Sequence, residues 1–174
     1  FSFAPIYGGT GGGQKDHIRR YFTEFFNIYK GLHGYHKKLT DGVLVDGLVQ
    51  TPSGRQFYWK DAKRLGNGRI TNHTNVVNYP VQSFATADVV PLACIRAYRR
   101  FQELNLQSKI VLTVHDSIVV DCRRDERDQV LEALRWAMVG VVDEVAERWN
   151  YTFTLPLEIE ISEGKNWLDQ VELD

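Results

Sequence analysis

The sequence is poor in sulfur and has no long apolar run, and each shortage closes off a class of protein. There are two cysteines, Cys94 and Cys122. They match no CxxC spacing for zinc or redox chemistry, and two are too few for a disulfide scaffold. A reducing, cytosol-like compartment is the default expectation. No stretch approaches the roughly 20 apolar residues that cross a bilayer. Residues Phe1 to Pro5 carry neither a basic region nor a long apolar core, so no secretory leader is read there. Internal repeats are absent. Met138 is the one methionine, and a chain that opens at Phe1 reads as a processed, split or excised piece.

What remains is an ordinary globular composition. The 174 residues are 43% hydrophobic and 25% charged, which is one domain or one large piece of a bigger one. The net charge of −1 hides an asymmetry. Residues 1–120 carry fifteen Lys and Arg against eight Asp and Glu; residues 121–174 carry six against fourteen. The pattern suggests a basic working face and a solvated acidic end. A basic half attracts a polyanion through counterion release.

Periodicity orders the chain. Gly8 to Gly13 holds five glycines in six residues, which reads as a flexible loop or hinge. Ile18, Tyr21, Phe22, Phe25, Phe26 and Tyr29 recur at helical spacing, with Lys15, Arg19, Arg20 and Lys30 on the polar face. A second helix is expected over Leu32, Tyr35, His36 and Leu39. Residues 43–59 read as a hairpin turning at Pro52-Ser53-Gly54. Residues 60–72 form a basic loop. Pro80 is expected just inside the start of a long helix over 80–105, where a missing N–H costs least. Residues 109–122 are two β-rich runs flanking His115-Asp116-Ser117, a hairpin with a polar tip. A long helix over 125–149 opens with Asp125 and Glu126, as the helix dipole prefers. Leu155 to Ile161 reads as a short strand with alternating Glu158 and Glu160. The sum is α+β with an antiparallel sheet.

Three features bear on chemistry. Asp116 sits at a tight turn between two apolar strands, a rigid placement that suits a hard, oxygen-liganded cation such as Mg²⁺; Asp is also a common turn residue that bonds its own backbone. Asn78 and Gln82 lie four apart on one helical face, and their carboxamides suit base edges or sugars; an N-cap and a surface residue are the plainer reading. Phe3 and Tyr7, four apart before Gly8-Gly9, make either a core stripe or a stacking platform for a nucleoside.

Together these blocks resemble the C-terminal part of family A DNA polymerases, the DNA polymerase I group, closest in style to bacteriophage members. Phe3-Ala4-Pro5-Ile6-Tyr7-Gly8 resembles the end of motif B on the fingers helix. Asn78-x-Pro80-x-Gln82, with Ala85 and Asp88, resembles the block that starts a palm helix. Val114-His115-Asp116 resembles motif C. Leu157-Glu158-Ile159-Glu160 and Gly164-Lys165-Asn166-Trp167 resemble the closing strand and ending. The likeness covers essentially the whole chain, and its strength lies in four weak blocks falling in order.

The resemblance implies an antiparallel palm sheet with the motif C hairpin, flanked by long helices, over 43–174, and distal fingers helices over 1–42. It implies that Asp116 is the catalytic carboxylate and a ligand of Mg²⁺, two ions serving the complete enzyme. His115 would lie beside the primer end. Phe3 and Tyr7 would bind the incoming nucleotide, with Gly8 as a hinge. Asn78 and Gln82 would contact the duplex. The basic stretches 14–38 and 55–69 are candidate phosphate contacts by charge. Implied partners are primer-template DNA, a deoxynucleoside triphosphate (dNTP), and a separate polypeptide carrying thumb, motif A and the first part of the fingers. The implied location is cytoplasmic, in a bacterial host if the protein is phage-encoded.

Three departures qualify this. Ser117 stands where motif C usually continues with Glu. His-Asp-Ser also occurs in single-subunit RNA polymerases, although the Asn-Tyr-Pro-Val-Gln block and the Gly-Lys-Asn-Trp ending speak against that alternative. The basic residues of motif B and the motif A strand with its metal-binding Asp are absent from the sequence. Asp116 alone cannot hold two ions about 3.5–4 Å apart. A palm sheet lacking that strand would leave an apolar edge exposed. The expectation is a split or cleaved enzyme; a remnant that only binds nucleic acid or a partner is the non-catalytic alternative.

Overall fold

Residues 4–9 and 16–173 are described by the structure, a computed structural model. The chain divides into two compact units, Phe1–Phe84 and Ala85–Asp174. Helix α2 (Lys30–Asp46) runs unbroken through residues 42 and 43, the boundary expected from sequence.

In the first unit, α1 (Asp16–Ile28) follows the expected aromatic stripe, with Phe22 buried. Helix α2 buries His36, Thr40 and Val43. Their spacing of four and three is helical, and it carries the helix through Val43–Asp46, which local β-propensity had assigned to a strand. The helix stops at Gly47, whose φ of 69° allows its N–H to donate to the Val43 carbonyl at 2.9 Å. The hairpin is therefore shorter than expected: β1 (Leu48–Gln50) pairs antiparallel with β2 (Gln56–Tyr58), Val49 opposite Phe57. Its core joins Val43, Val49, Ile70 and Val76, with Leu39, Leu44, Trp59 and Ala62 packed against them.

Pro80 is not at a helix start. Helix α3 spans His73–Ser83 and holds Pro80 in its interior. An interior proline costs about 3 kcal/mol or more. Burying Val76 and Val77 on the same helix returns about 1.5–3 kcal/mol each, so packing outweighs the lost rung. The chain then widens into a π-helical turn, Phe84–Val89.

The second unit is built on α4 (Val90–Glu103) and α5 (Arg127–Val139). Ala97, Phe101, Leu106, Val130, Ala133, Leu134 and Ala137 form its core. The alanines let the two helices approach closely. The 125–149 helix expected as one piece is three: a 3-10 turn Arg124–Glu126, α5, and α6 (Val141–Trp149) after a break at Gly140. A Cβ on Gly140 would stand 2.7 Å from the Trp136 carbonyl oxygen and 3.0 Å from Arg96 Nη2.

The β-rich runs form β3 (Lys109–Val114) and β4 (Ser117–Asp121), antiparallel, with Val114 opposite Ser117. The final strand is displaced. Residues 155–160 are irregular, and β5 (Ile161–Gly164) pairs instead with β6 (Gln170–Leu173). Pro156 cannot donate to a ladder, and no strand among the described residues pairs with 157–160. Asn166 turns the connection, its Oδ1 accepting the N–H groups of Leu168 and Asp169 at 2.9 and 3.0 Å. The architecture is α+β, with three separate two-stranded antiparallel ladders rather than one sheet among the described residues.

Candidate functional site

Each unit holds one group of the expected site residues. In the second unit, His115 and Asp116 are the two residues of the β3–β4 turn, and both are exposed. His115 lies at φ 53°, a region that glycine favours at this place in a hairpin. Ser117 Oγ donates to the Val114 carbonyl at 2.9 Å, closing the turn beneath the tip. The hydroxyl thus serves the turn, where the resembled motif would carry a second carboxylate.

The hairpin is held from below. Ile110, Ile118 and Val120 pack against the α4–α5 core. Glu126 accepts the Gln107 N–H, the Ser108 N–H and the Ser108 hydroxyl at 2.8, 2.8 and 2.6 Å. The Arg123 N–H donates to the same hydroxyl at 3.0 Å. The Ser108 hydroxyl and the neighbouring N–H groups hold the Glu126 carboxyl below its ordinary range. Sequence reading saw in Glu126 only a helix-dipole residue; its role as the staple of the hairpin needs the fold. Val111, Leu112 and Val114 remain exposed at 59, 49 and 38%.

In the first unit, Gln82 meets Tyr7, and Gly8 lies against Val77 and His73 of α3. Gly9 N–H donates to the Ala4 carbonyl at 2.7 Å and Gly8 N–H to that of Pro5 at 3.2 Å. With Gly8 at φ 83°, this is the bonding that closes the C-terminal turn of a helix. Gln82 Nε2 donates to the Tyr7 hydroxyl oxygen at 2.6 Å. Asn78 is one turn earlier on α3, so it is no N-cap, and its buried Oδ1 has no hydrogen-bond partner. An unsatisfied buried acceptor is costly and is common where a group is kept for another partner. Phe3 lies outside the described residues.

Five basic side chains of these stretches have partners within the protein, most of them in exposed pairs. Arg19, Arg20 and Lys37 pair with Asp16, Glu24 and Asp41, and Arg64 reaches Asp41 at 2.8 Å. Arg69 donates to the Gly8 carbonyl.

Among the described residues, no group of three His, Cys, Asp or Glu side chains converges as a metal site. Asp116 is an exposed carboxylate that belongs to no such group. No described helix is long and apolar enough to cross a membrane.

A solved structure shares the fold. The fold matches the POL domain of Pol1 from M. smegmatis, solved with DNA primer-template and dNTP, at a TM-score of 0.74 and 23% identity, covering 90% of this chain and 27% of that one. The sequence identifies the family: the model for DNA polymerase family A matches residues 11–169, and the chain belongs to that family. It is 31% identical to DNA polymerase I of Caldicellulosiruptor bescii over 97% of this chain and 20% of the relative. It is 30% identical to the thermostable DNA polymerase I of Thermus aquaticus over 89% and 17%. The chain thus spans about a fifth of the length of such relatives. These matches to DNA polymerases do not favour the RNA polymerase alternative.

Proposed function

We propose that the chain is the palm and distal-fingers part of a template-directed DNA polymerase. The primer 3′-OH attacks the α-phosphorus of a dNTP, a new P–O bond forms, and pyrophosphate leaves. The observation that carries this reading is a carboxylate, Asp116, raised on a two-residue turn whose strands are anchored by a core face and by Glu126, in a chain of family A.

On this reading Asp116 holds one position of a Mg²⁺ site, and the ion when bound supplies charge neutralisation. His115 stands beside Asp116 and contacts the primer end. Tyr7, oriented by Gln82, floors the pocket of the nascent base pair, with Phe3 near the sugar. The orphaned Asn78 Oδ1 is the acceptor offered to the duplex. Gly8 lets the fingers helix end and turn. The remaining carboxylates come from outside these residues, with the thumb, motif A and the first part of the fingers.

Primer extension with deoxynucleotides and Mg²⁺ tests this. The chain alone is expected to be inactive, and the chain mixed with a polypeptide carrying thumb, motif A and early fingers to extend with deoxy- but not ribonucleotides. Extension with ribonucleotides would favour the RNA polymerase; no extension from the mixture would favour the non-catalytic remnant.

A further inference from the structure

Tyr7 is flanked by two carbonyls, and both are tied to side chains far away in sequence. His36 Nε2 donates to the Ile6 carbonyl at 2.9 Å; a carbonyl only accepts, so Nε2 carries the proton. Arg69 Nη2 donates to the Gly8 carbonyl at 2.9 Å and to His73 Nδ1 at 2.8 Å. Arginine has no lone pair to offer, so His73 Nδ1 is unprotonated. The two imidazoles meet edge to face, with centroids 6.2 Å apart. Burial, with Arg69 and His36 nearby, pushes His73 down to about 4 and keeps it neutral near pH 7. Space is as tight as the bonding. A Cβ on Gly8 would lie 2.7 Å from Val77 Cγ2 and 3.0 Å from His73 Nδ1.

The 4–9 segment is thereby docked by its main chain on α2 and α3, while Gln82 fixes the Tyr7 hydroxyl. None of this was legible as charge: Arg69 read as a phosphate contact in a basic loop.

We propose that Arg69 and His36 are positioning residues, which hold Tyr7 through the carbonyls on either side of it and so set the shape of the nucleotide pocket. The role in the pocket rests on the reading of Tyr7 given above. The docking itself does not.

Hydrogen exchange of the 4–9 amides tests the docking without any catalysis. Arg69→Met is expected to speed exchange at Gly8 and Gly9 by about tenfold, the loss of one charge-assisted hydrogen bond, with the amides of α2 and α3 unchanged. Unchanged exchange at Gly8 and Gly9 overturns the proposal. Should Arg69→Met also open α2 and α3, His36→Phe, which keeps an aromatic ring beside Phe26 and His73 but removes the bond to the Ile6 carbonyl, carries the same expectation and the same overturning result. In the extending assembly, Arg69→Met is expected to raise KM for the dNTP several-fold and to increase insertion of the mismatched nucleotide, with primer-template affinity held. Faster exchange with both parameters unmoved overturns the positioning role. Wild-type material that exchanges as described but never extends a primer would instead overturn the polymerase reading and leave the docking intact.

Discussion

His115 differs from the other positions of positive φ. Among the described residues the remaining non-glycine cases are Asn72, Asn105 and Asn150, and asparagine tolerates this region through its short polar side chain. His115 holds it at the tip that carries Asp116, where backbone strain is expected to serve a site rather than stability. Replacing His115 by Val should therefore cost about 1–2 kcal/mol in urea unfolding, and His115→Asn should be near neutral. Equal stability for Val and Asn would show that the turn is unstrained. His73 gives a pH effect of definite sign. Its folded-state value near 4 is below the ordinary 6.5, because burial, Arg69 and His36 disfavour the cation. His36 is lowered as well, by burial and by His33, against the bond to Ile6. The unfolded chain binds these protons first, so the first unit is most stable above pH 6.5. It should lose stability as pH falls toward 4, measured as a falling thermal midpoint. Replacing His73 by Phe should flatten that slope. An unchanged slope would contradict the assignment.

At the scale of elements, the break between α5 and α6 is fixed by Arg96. Its guanidinium lies 4.3 Å from the Trp136 ring centroid, donates to the Ala137 carbonyl at 3.2 Å, and pairs with Glu144 at 3.1 Å with both side chains largely buried. Burial pushes the Glu144 carboxyl up, but the bonds from Arg96 and Arg148 outweigh it and hold it low. Arg96→Ala should destabilise the second unit by about 3 kcal/mol, since it strands a buried carboxylate that Arg148 only partly compensates. A loss below about 1 kcal/mol in denaturant unfolding would reduce the pair to a surface interaction. Such elements also show where sequence reading works. The α1 stripe, the 51–55 turn and the β3–β4 hairpin were legible because period, turn residues and burial agree there. Val43–Asp46 and Pro80 were misread because local propensity favoured one answer and a buried face across the unit imposed another. The 157–160 strand was misplaced because a strand needs a partner, and the sequence does not name one. The placement of Asp116 at the hairpin tip was legible; the bond from Gln82 to the Tyr7 hydroxyl was not. The Glu126 staple and the Arg69–His36 docking were not either, since most of their partners are backbone groups that any residue could supply, far away in sequence.

At the scale of the molecule, the site residues fall into two groups, Tyr7, Gly8, Asn78 and Gln82 in one unit and His115 and Asp116 in the other. On the reading proposed above, the first group meets the nascent base pair and the duplex, and the second the reacting end of the primer. The chain belongs to DNA polymerase family A, and on that reading the reaction turns on Asp116 at the hairpin tip. The charge asymmetry contributes less than it promised, because part of the basic half is paired internally. The central claim is the role of Asp116. The direct measurement is primer extension by the complete assembly with wild-type chain and with Asp116→Ala, each shown to bind primer-template equally. The account predicts that extension falls to background while binding is kept. Undiminished extension by Asp116→Ala would contradict it.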